Sequence, residues 1–247
     1  MAPVAREQAL AVLRRGLAAA GIALNPVQEE QFWRYYQELL EWNNRFNLTA
    51  ITGEEQVMLK HFTDSLLCSA KVDFQPGMRI CDVGSGAGFP GVPLKIWLPG
   101  LHLCMLDATK KRVEFLRHLV EIIGLTGAEA VHGRAEEWGR EPGWREGFDR
   151  VLSRAVGPMA VLAEYCLPLV RTGGMMIALK GPEVDLEVEG ENGVFHMLGG
   201  ELEGVYRHRL PISGDSRRTV VIRKVTSTPE KYPRKPGLPE KRPLGKN

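Results

Sequence analysis

The run Asp82-Val83-Gly84-Ser85-Gly86-Ala87-Gly88-Phe89-Pro90-Gly91 restricts the fold more than any other stretch of this 247-residue chain. It continues a short apolar segment, 79–83, that reads as a strand. Glycines between a strand and a helix let the backbone pass close to a ligand with no Cβ in the way. Such a loop belongs beyond the carboxyl end of a strand in an open parallel sheet, where ligands of doubly wound folds sit. Strand-like segments recur at 101–106, 130–132, 148–152 and 175–179, with helical segments between them, one of them 110–123 and closed by Gly124. That alternation predicts a parallel sheet with right-handed crossovers. Two last strands, 205–210 and 219–225, are joined only by 211–218 and fit a hairpin at the sheet edge.

The flanks differ. Leu10, Leu13 and Leu17 recur at helical spacing, and Asn25-Pro26-Val27-Gln28 offers a capping box with Pro at the first helical position. Phe32, Tyr36, Leu39, Leu40 and Asn43 carry that helix forward. Thr52-Gly53-Glu54-Glu55 reads as a second capping box, opening a helix through Val57, His61, Phe62, Leu66 and Leu67. Residues 229–247 hold five prolines and six Lys and Arg against two Glu, which disfavours regular structure. The expected organisation is a helical cap over 1–75, an α/β domain over 76–225 and a basic Pro-rich tail over 226–247.

A hydrophobic fraction of 44% with 25% charge is globular and excludes wholesale disorder. The net charge of +2 neither demands nor forbids a nucleic-acid partner, so any basic surface is local. Cys68, Cys81, Cys104 and Cys166 form no Cys-x-x-Cys pair and read as buried reduced thiols. Arg6, Glu7, Arg14 and Arg15 stand where a signal peptide needs an apolar block, and no apolar run approaches the ~20 residues of a membrane span. A cytoplasmic compartment is expected.

Two ligands compete for the glycine loop. A literal Gly-x-Gly-x-x-Gly at Gly86, Gly88 and Gly91 suggests a dinucleotide. Counted from the strand, however, the array is Gly84-x-Gly86-x-Gly88, and that register fails at Phe89. Asp82 would also repel a pyrophosphate, whereas a carboxylate suits a ligand carrying a cation or amine. S-adenosyl-L-methionine carries both. Asp107, at the end of the next strand, stands where a ribose diol would lie. Gly133-Arg134-Ala135-Glu136 follows the third strand, at the place of an adenine edge, and Ser153-Arg154-Ala155 follows the fourth, where the methyl group emerges. The bland alternatives make Glu136 a helix-start carboxylate and Arg154 a structural ion-pair partner.

The acceptor atom is narrowed by what is missing from the sequence. Pyrimidine C5 methylation uses a cysteine, usually after proline, and no cysteine here follows one. Exocyclic-amine methylation uses Asp/Asn-Pro-Pro-Tyr/Phe where this chain has Ser153-Arg154-Ala155-Val156. Guanine N7 needs only positioning and electrostatics, because its lone pair is available and no proton leaves. No catalytic base and no metal site are therefore expected, and the six histidines lack ligand spacing. Lys110, Lys111 and Arg112, Lys180, and Arg217 and Arg218 fall near the expected mouth and could hold phosphates. The bland alternative is an ordinary solvated helix turn and tail.

Several motifs then occur in order: Asn47-Leu48-Thr49-Ala50-Ile51, His61-Phe62-x-Asp64-Ser65-Leu66, the glycine loop through Lys95, Lys111-Arg112-x-x-Phe115-Leu116, Gly133 to Glu136, Ser153-Arg154-Ala155, Ala178-Leu179-Lys180-Gly181 and Tyr232-Pro233-Arg234-Lys235-Pro236-Gly237. Together they resemble the ribosomal RNA small subunit methyltransferase G family, also called glucose-inhibited division protein B, over residues ~25 to 244. The resemblance implies an α/β, Rossmann-like class I S-adenosylmethionine-dependent methyltransferase, with a seven-stranded, mostly parallel sheet and an N-terminal helical extension. It also implies N7 methylation of one guanine in the decoding-region loop of bacterial 16S rRNA, within the 30S subunit or its assembly intermediate. No membrane and no obligate protein partner are implied. Cofactor contacts fall by motif on Gly84, Phe89, Ala135, Glu136 and Arg154, with Asp107 nearby; Asp82 and Gly86 join them from the loop. Expected RNA contacts are Lys60, His61, Lys110, Lys180, Arg217, Arg218, Arg234 and Lys235. Asn47, Lys60, His61 and Asp64 are polar inside a helical cap; they line the cleft for the guanine or, in the bland case, His61 and Asp64, three apart, form a helix-surface pair. Ser85 replaces a common Thr and Gly157 an expected Ala, and between 182 and 204 the match fades. A small-molecule methyltransferase and a non-catalytic adenosylmethionine-binding regulator stay open as alternatives.

Overall fold

The computed structural model describes residues 3–154 and 156–245, so Ala155 of the Ser153-Arg154-Ala155 motif lies outside it. Strands β1 (Arg79–Val83), β2 (His102–Asp107), β3 (Ala128–His132), β4 (Phe148–Arg154), β5 (Val170–Lys180), β6 (Gly200–Arg209) and β7 (Ser216–Lys224) form one sheet in the order β3-β2-β1-β4-β5-β7-β6. β1 to β5 are parallel. β7 is antiparallel and inserts between β5 and β6, so the expected edge hairpin is present. The sheet reverses its winding between β1 and β4, which opens a cleft beyond their carboxyl ends.

Helices in chain order are α1 (Pro3–Ala18), α2 (Pro26–Phe46), α3 (Glu54–Val57), α4 (Asp64–Leu67), α5 (Gly91–Trp97), α6 (Lys110–Ile122), α7 (Ala135–Trp138), α8 (Met159–Cys166), α9 (Val184–Glu189), α10 (Asn192–Met197) and α11 (Leu238–Lys241). Strand alternation assigns the faces. Ile80, Leu103, Leu152 and Ile177 join a core with Leu13, Phe32, Tyr35 and Phe115, so the N-terminal helices share a layer with α5 and α6. Cys81, Cys104, Val151 and Met176 face the opposite core, with Leu162 of α8, Val188 of α9 and Phe195 of α10. All four cysteines are buried and free. No described helix is long and apolar enough to cross a membrane.

Asn25 caps α2 as expected, accepting from the Gln28 N–H while Gln28 accepts from the Asn25 N–H. The second expected capping box is absent. Gly53 is the cap of α3 and no side chain bonds there. The helix itself is present, but its middle, Met58–Thr63, is wound as a π-helix before α4 resumes.

α2 braces its neighbours α5 and α6 within their shared layer. Gln28 Nε2 donates to the Ile96 and Trp97 carbonyls at 3.0 and 2.9 Å, and Gln31 Nε2 donates to Ile123 O. The Tyr35 hydroxyl donates to the Ala87 carbonyl inside the glycine loop. The Pro-rich tail is docked rather than free. Prolines have no N–H to donate, which leaves carbonyls open, and here Arg145 donates to those of Thr228 and Tyr232, Arg140 to those of Lys231 and Pro233. Tyr232 is buried, and a short helix, α11, follows.

Replacing Tyr35→Phe leaves the buried Ala87 carbonyl without its donor. A loss of about 1–3 kcal/mol is expected, readable as a lower urea midpoint; an unchanged midpoint would show that the contact carries no stability.

Candidate active site

β1 runs into a loop whose turns need positive φ. Gly84 and Gly86 have φ of 69° and 58°, and a Cβ on Gly84 would lie 2.6 Å from Val156 Cγ2. Asp107 fixes the loop. Its Oδ2 accepts from the Gly86 N–H at 2.9 Å and its Oδ1 from the Thr109 N–H at 2.8 Å.

A cavity of about 410 Å³ opens on this loop. Gly84, Gly86, Phe89, Asp107, Ala135, Glu136 and Arg154 all line it, so the structure brings together seven of the eight residues expected at the cofactor. Asp82 is the exception and requires correction. It is fully buried behind the loop and absent from the cavity wall. Its Oδ2 accepts from the Gly91 N–H at 2.9 Å, while its Oδ1 has no hydrogen-bond partner. Burial pushes its carboxyl up to about 7, against the opposing pull of the Gly91 N–H and Arg154.

At one end of the cavity, the His61 ring stacks on Phe89 with centroids 4.4 Å apart, and the Arg154 guanidinium lies 4.7 Å over the same ring. Arg154 Nη2 donates to His61 Nδ1 at 3.3 Å, and Arg154 Nη1 lies 3.5 Å from Asp64 Oδ2 and donates to the Lys60 carbonyl. An arginine has only protons to give, so Nδ1 is the acceptor and Nε2 carries the imidazole proton. That proton goes to Thr49 Oγ1 at 2.8 Å. Burial and the Arg154 charge lower the His61 pKa to about 3, so the ring is neutral. π-Turns recur at functional sites, and here the one at Met58–Thr63 carries His61 and the Lys60 carbonyl, both against Arg154.

His61 and Arg154 also wall a second cavity of about 450 Å³, lined further by Lys60, Asp64, Lys180, His208, Arg217 and Arg218. Five of the eight expected RNA contacts thus meet in one place. Lys60 pairs with Asp215, Arg217 with Asp64, Arg218 with Asp185 and Lys180 with Glu187. The other three lie elsewhere. Lys110 is exposed at the start of α6 and Lys235 is exposed on the tail. Arg234 is corrected: its guanidinium grips the fully buried Glu164, with contacts of 2.6 to 3.0 Å, and is an anchor of the tail. Asn47 lines neither cavity; it ends α2 in the left-handed conformation that asparagine tolerates.

Thr49, Tyr165, His208 and Glu240 were not singled out as site residues. Thr49 had a signal, its place in the Asn47–Ile51 motif. Glu240 had none, because only the docked tail brings it to the wall.

This strand order, with β7 antiparallel and the cavity at the β1/β4 reversal, defines the class I methyltransferase fold. Solved structures agree on fold: a branched-chain polyamine synthase mutein of Thermus thermophilus superposes with TM-score 0.55 at 14% identity, over 79% of this chain and 64% of that one. A putative methyltransferase of Thermoplasma acidophilum gives 0.50 at 15% identity, over 63% and 71%. The family model described as rRNA small subunit methyltransferase G matches residues 28–211. Proteins named ribosomal RNA small subunit methyltransferase G are 46% identical in Pelotomaculum thermopropionicum, over 94% of this chain and 97% of that one, and 47% identical in Bacillus subtilis, over 93% and 96%. The chain belongs to the rRNA small subunit methyltransferase G family.

Because the His61 pKa falls on folding from 6.5 to about 3, the unfolded chain takes up a proton that the folded chain refuses. The stability that His61 contributes is present above its unfolded pKa and is lost as pH falls towards 3. NMR of the His61 ring should show no titration between about pH 5 and 8; a midpoint near 6.5 would place the ring in solvent. Gly84→Val meets both the positive φ and Val156, and should abolish ligand binding in this cavity by calorimetry. Retained affinity would mean that the loop is not the binding wall.

Proposed function

We propose that this chain transfers a methyl group from S-adenosyl-L-methionine to N7 of one guanine in the decoding-region loop of bacterial 16S rRNA, in the 30S subunit or its assembly intermediate. The observation that carries this reading is the shared wall: His61 and Arg154 separate a nucleoside-sized cavity from a cation-lined one. Family membership supports the coarser statement, a methyltransferase acting on small-subunit rRNA.

The residues fit the cofactor. Asp107 would take the ribose diol, since each carboxylate oxygen bonded to an N–H keeps a further lone pair. Glu136 would face the adenine edge. When bound, the cofactor supplies an electrophilic methyl on a sulfonium.

The rest is positioning. The N7 lone pair attacks in the ring plane, so no proton must leave. His61 is neutral, and its one proton is held on Thr49, so it neither gives nor takes a proton at physiological pH. Phe89, His61 and Arg154 form a flat wall of stacked planes suited to a base. Lys60, Lys180, Arg217 and Arg218 would hold phosphates without reading sequence.

Labelled S-adenosylmethionine and 30S subunits from cells lacking the modification test this, with strand scission mapping 7-methylguanine. One scission in the decoding-region loop is expected. Cofactor binding with no transfer to naked rRNA, assembly intermediate or 30S subunit would overturn the reading and favour a small-molecule enzyme or a regulator.

A further inference from the structure

The C-terminal arm lies outside the region matched by the family model, residues 28–211, yet it reaches the first cavity. Three anchors hold it: Arg140 and Arg145 on its carbonyls, and Arg234 on Glu164. Beyond them the Gly237 N–H donates to Glu136 Oε1 at 2.8 Å, which ties the arm to a cavity carboxylate that is only 3% exposed. Three residues on, Glu240 enters the cavity wall itself and accepts from the Tyr165 hydroxyl at 3.1 Å. Tyr165 lines the cavity as well.

This end of the cavity is rich in acceptors. Among the described residues neither Glu136 nor Glu240 has a Lys or Arg within ion-pair distance. Burial, Glu136 and Glu240 together drive the Tyr165 hydroxyl pKa upward against the opposing charge of Arg134, so it keeps its proton and directs it at Glu240. Two carboxylates, neither of them ion-paired, suit a ligand edge that donates, although Arg134 lines the same cavity. An exocyclic amine has two N–H bonds, one for each carboxylate. A 6-oxo group at the same place would set an acceptor against two acceptors, and a site built around one hydrogen-bonding pattern rejects the other strongly.

Resting on the reading of this cavity as the S-adenosylmethionine site, we infer that Glu240 is a specificity-determining residue: the arm delivers it to read, with Glu136, the 6-amino group of the cofactor's adenine. The arm is then part of the binding site as well as a brace.

Calorimetry on the full-length chain with S-adenosylhomocysteine and its 6-oxo analogue, S-inosylhomocysteine, tests this. The unaltered protein should prefer the adenosyl compound by about 100-fold or more. Glu240→Gln replaces one acceptor oxygen by a donor and should shrink that preference by roughly 10-fold, partly through tighter binding of the inosyl compound. Glu240→Asp withdraws the carboxylate by one methylene and should lower adenosyl affinity, providing a second variant that keeps the charge. Thermal melting of each variant checks that it is folded, which the exposed position of Glu240 favours. Adenosyl binding with the preference unchanged in both variants would overturn the role of Glu240 alone. Failure of the unaltered protein to bind S-adenosylhomocysteine would overturn the cofactor reading, and this inference with it.

Discussion

Arg154 is the cation on which the architecture of the site depends. It ends β4, lies on the Phe89 ring of the glycine loop, and reaches the Lys60 carbonyl, His61 and Asp64 of the N-terminal segment. Three pieces of chain far apart in sequence are therefore fixed relative to one another by a single planar group. A guanidinium suits this task because its N–H bonds spread in a plane while its face remains free to stack. Burial disfavours its charge, and Asp64 opposes that penalty. The partnership is mutual: burial raises the Asp64 pKa, while Arg154 and Arg217 hold it down.

Much of this was legible in the sequence, for local reasons. The glycine array placed β1 and its loop because few backbones tolerate consecutive positive-φ turns, and the Asn25 box placed the start of α2 because the cap is built from neighbouring residues. Asp82 was misread although period-2 alternation contained the answer. Ile80 and Asp82 share a face, and that face packs on the helices rather than opening at the strand end. Thr52 failed as a cap because Gly53 takes the position. The tail's proline content correctly argued against long regular elements, but it could not reveal docking, since the donors Arg140 and Arg145 lie about ninety residues away. Glu240 was invisible for the same reason.

The division into cap, domain and tail describes the chain better than it describes the packing. α1 and α2 build the same core as the sheet's inner residues, and Tyr35 reaches into the glycine loop. The tail closes the opposite end of the same cavity through Gly237 and Glu240. Both termini thus finish a site whose floor is laid by the central segment.

A net charge of +2 concealed the second cavity because each cation lining it already has a carboxylate partner, in Asp64, Asp185, Glu187 or Asp215. A polyanion entering there finds no bare charge. It must trade places with side-chain carboxylates, so its gain is the difference between two ion pairs instead of the whole of one. Fewer small counterions are then released than there are cations, and the affinity responds to salt less steeply than a count of lysines and arginines suggests. Partner exchange of this kind favours a rigid polyanion over a flexible one, because only a correctly spaced set of anionic groups can replace several carboxylates at once.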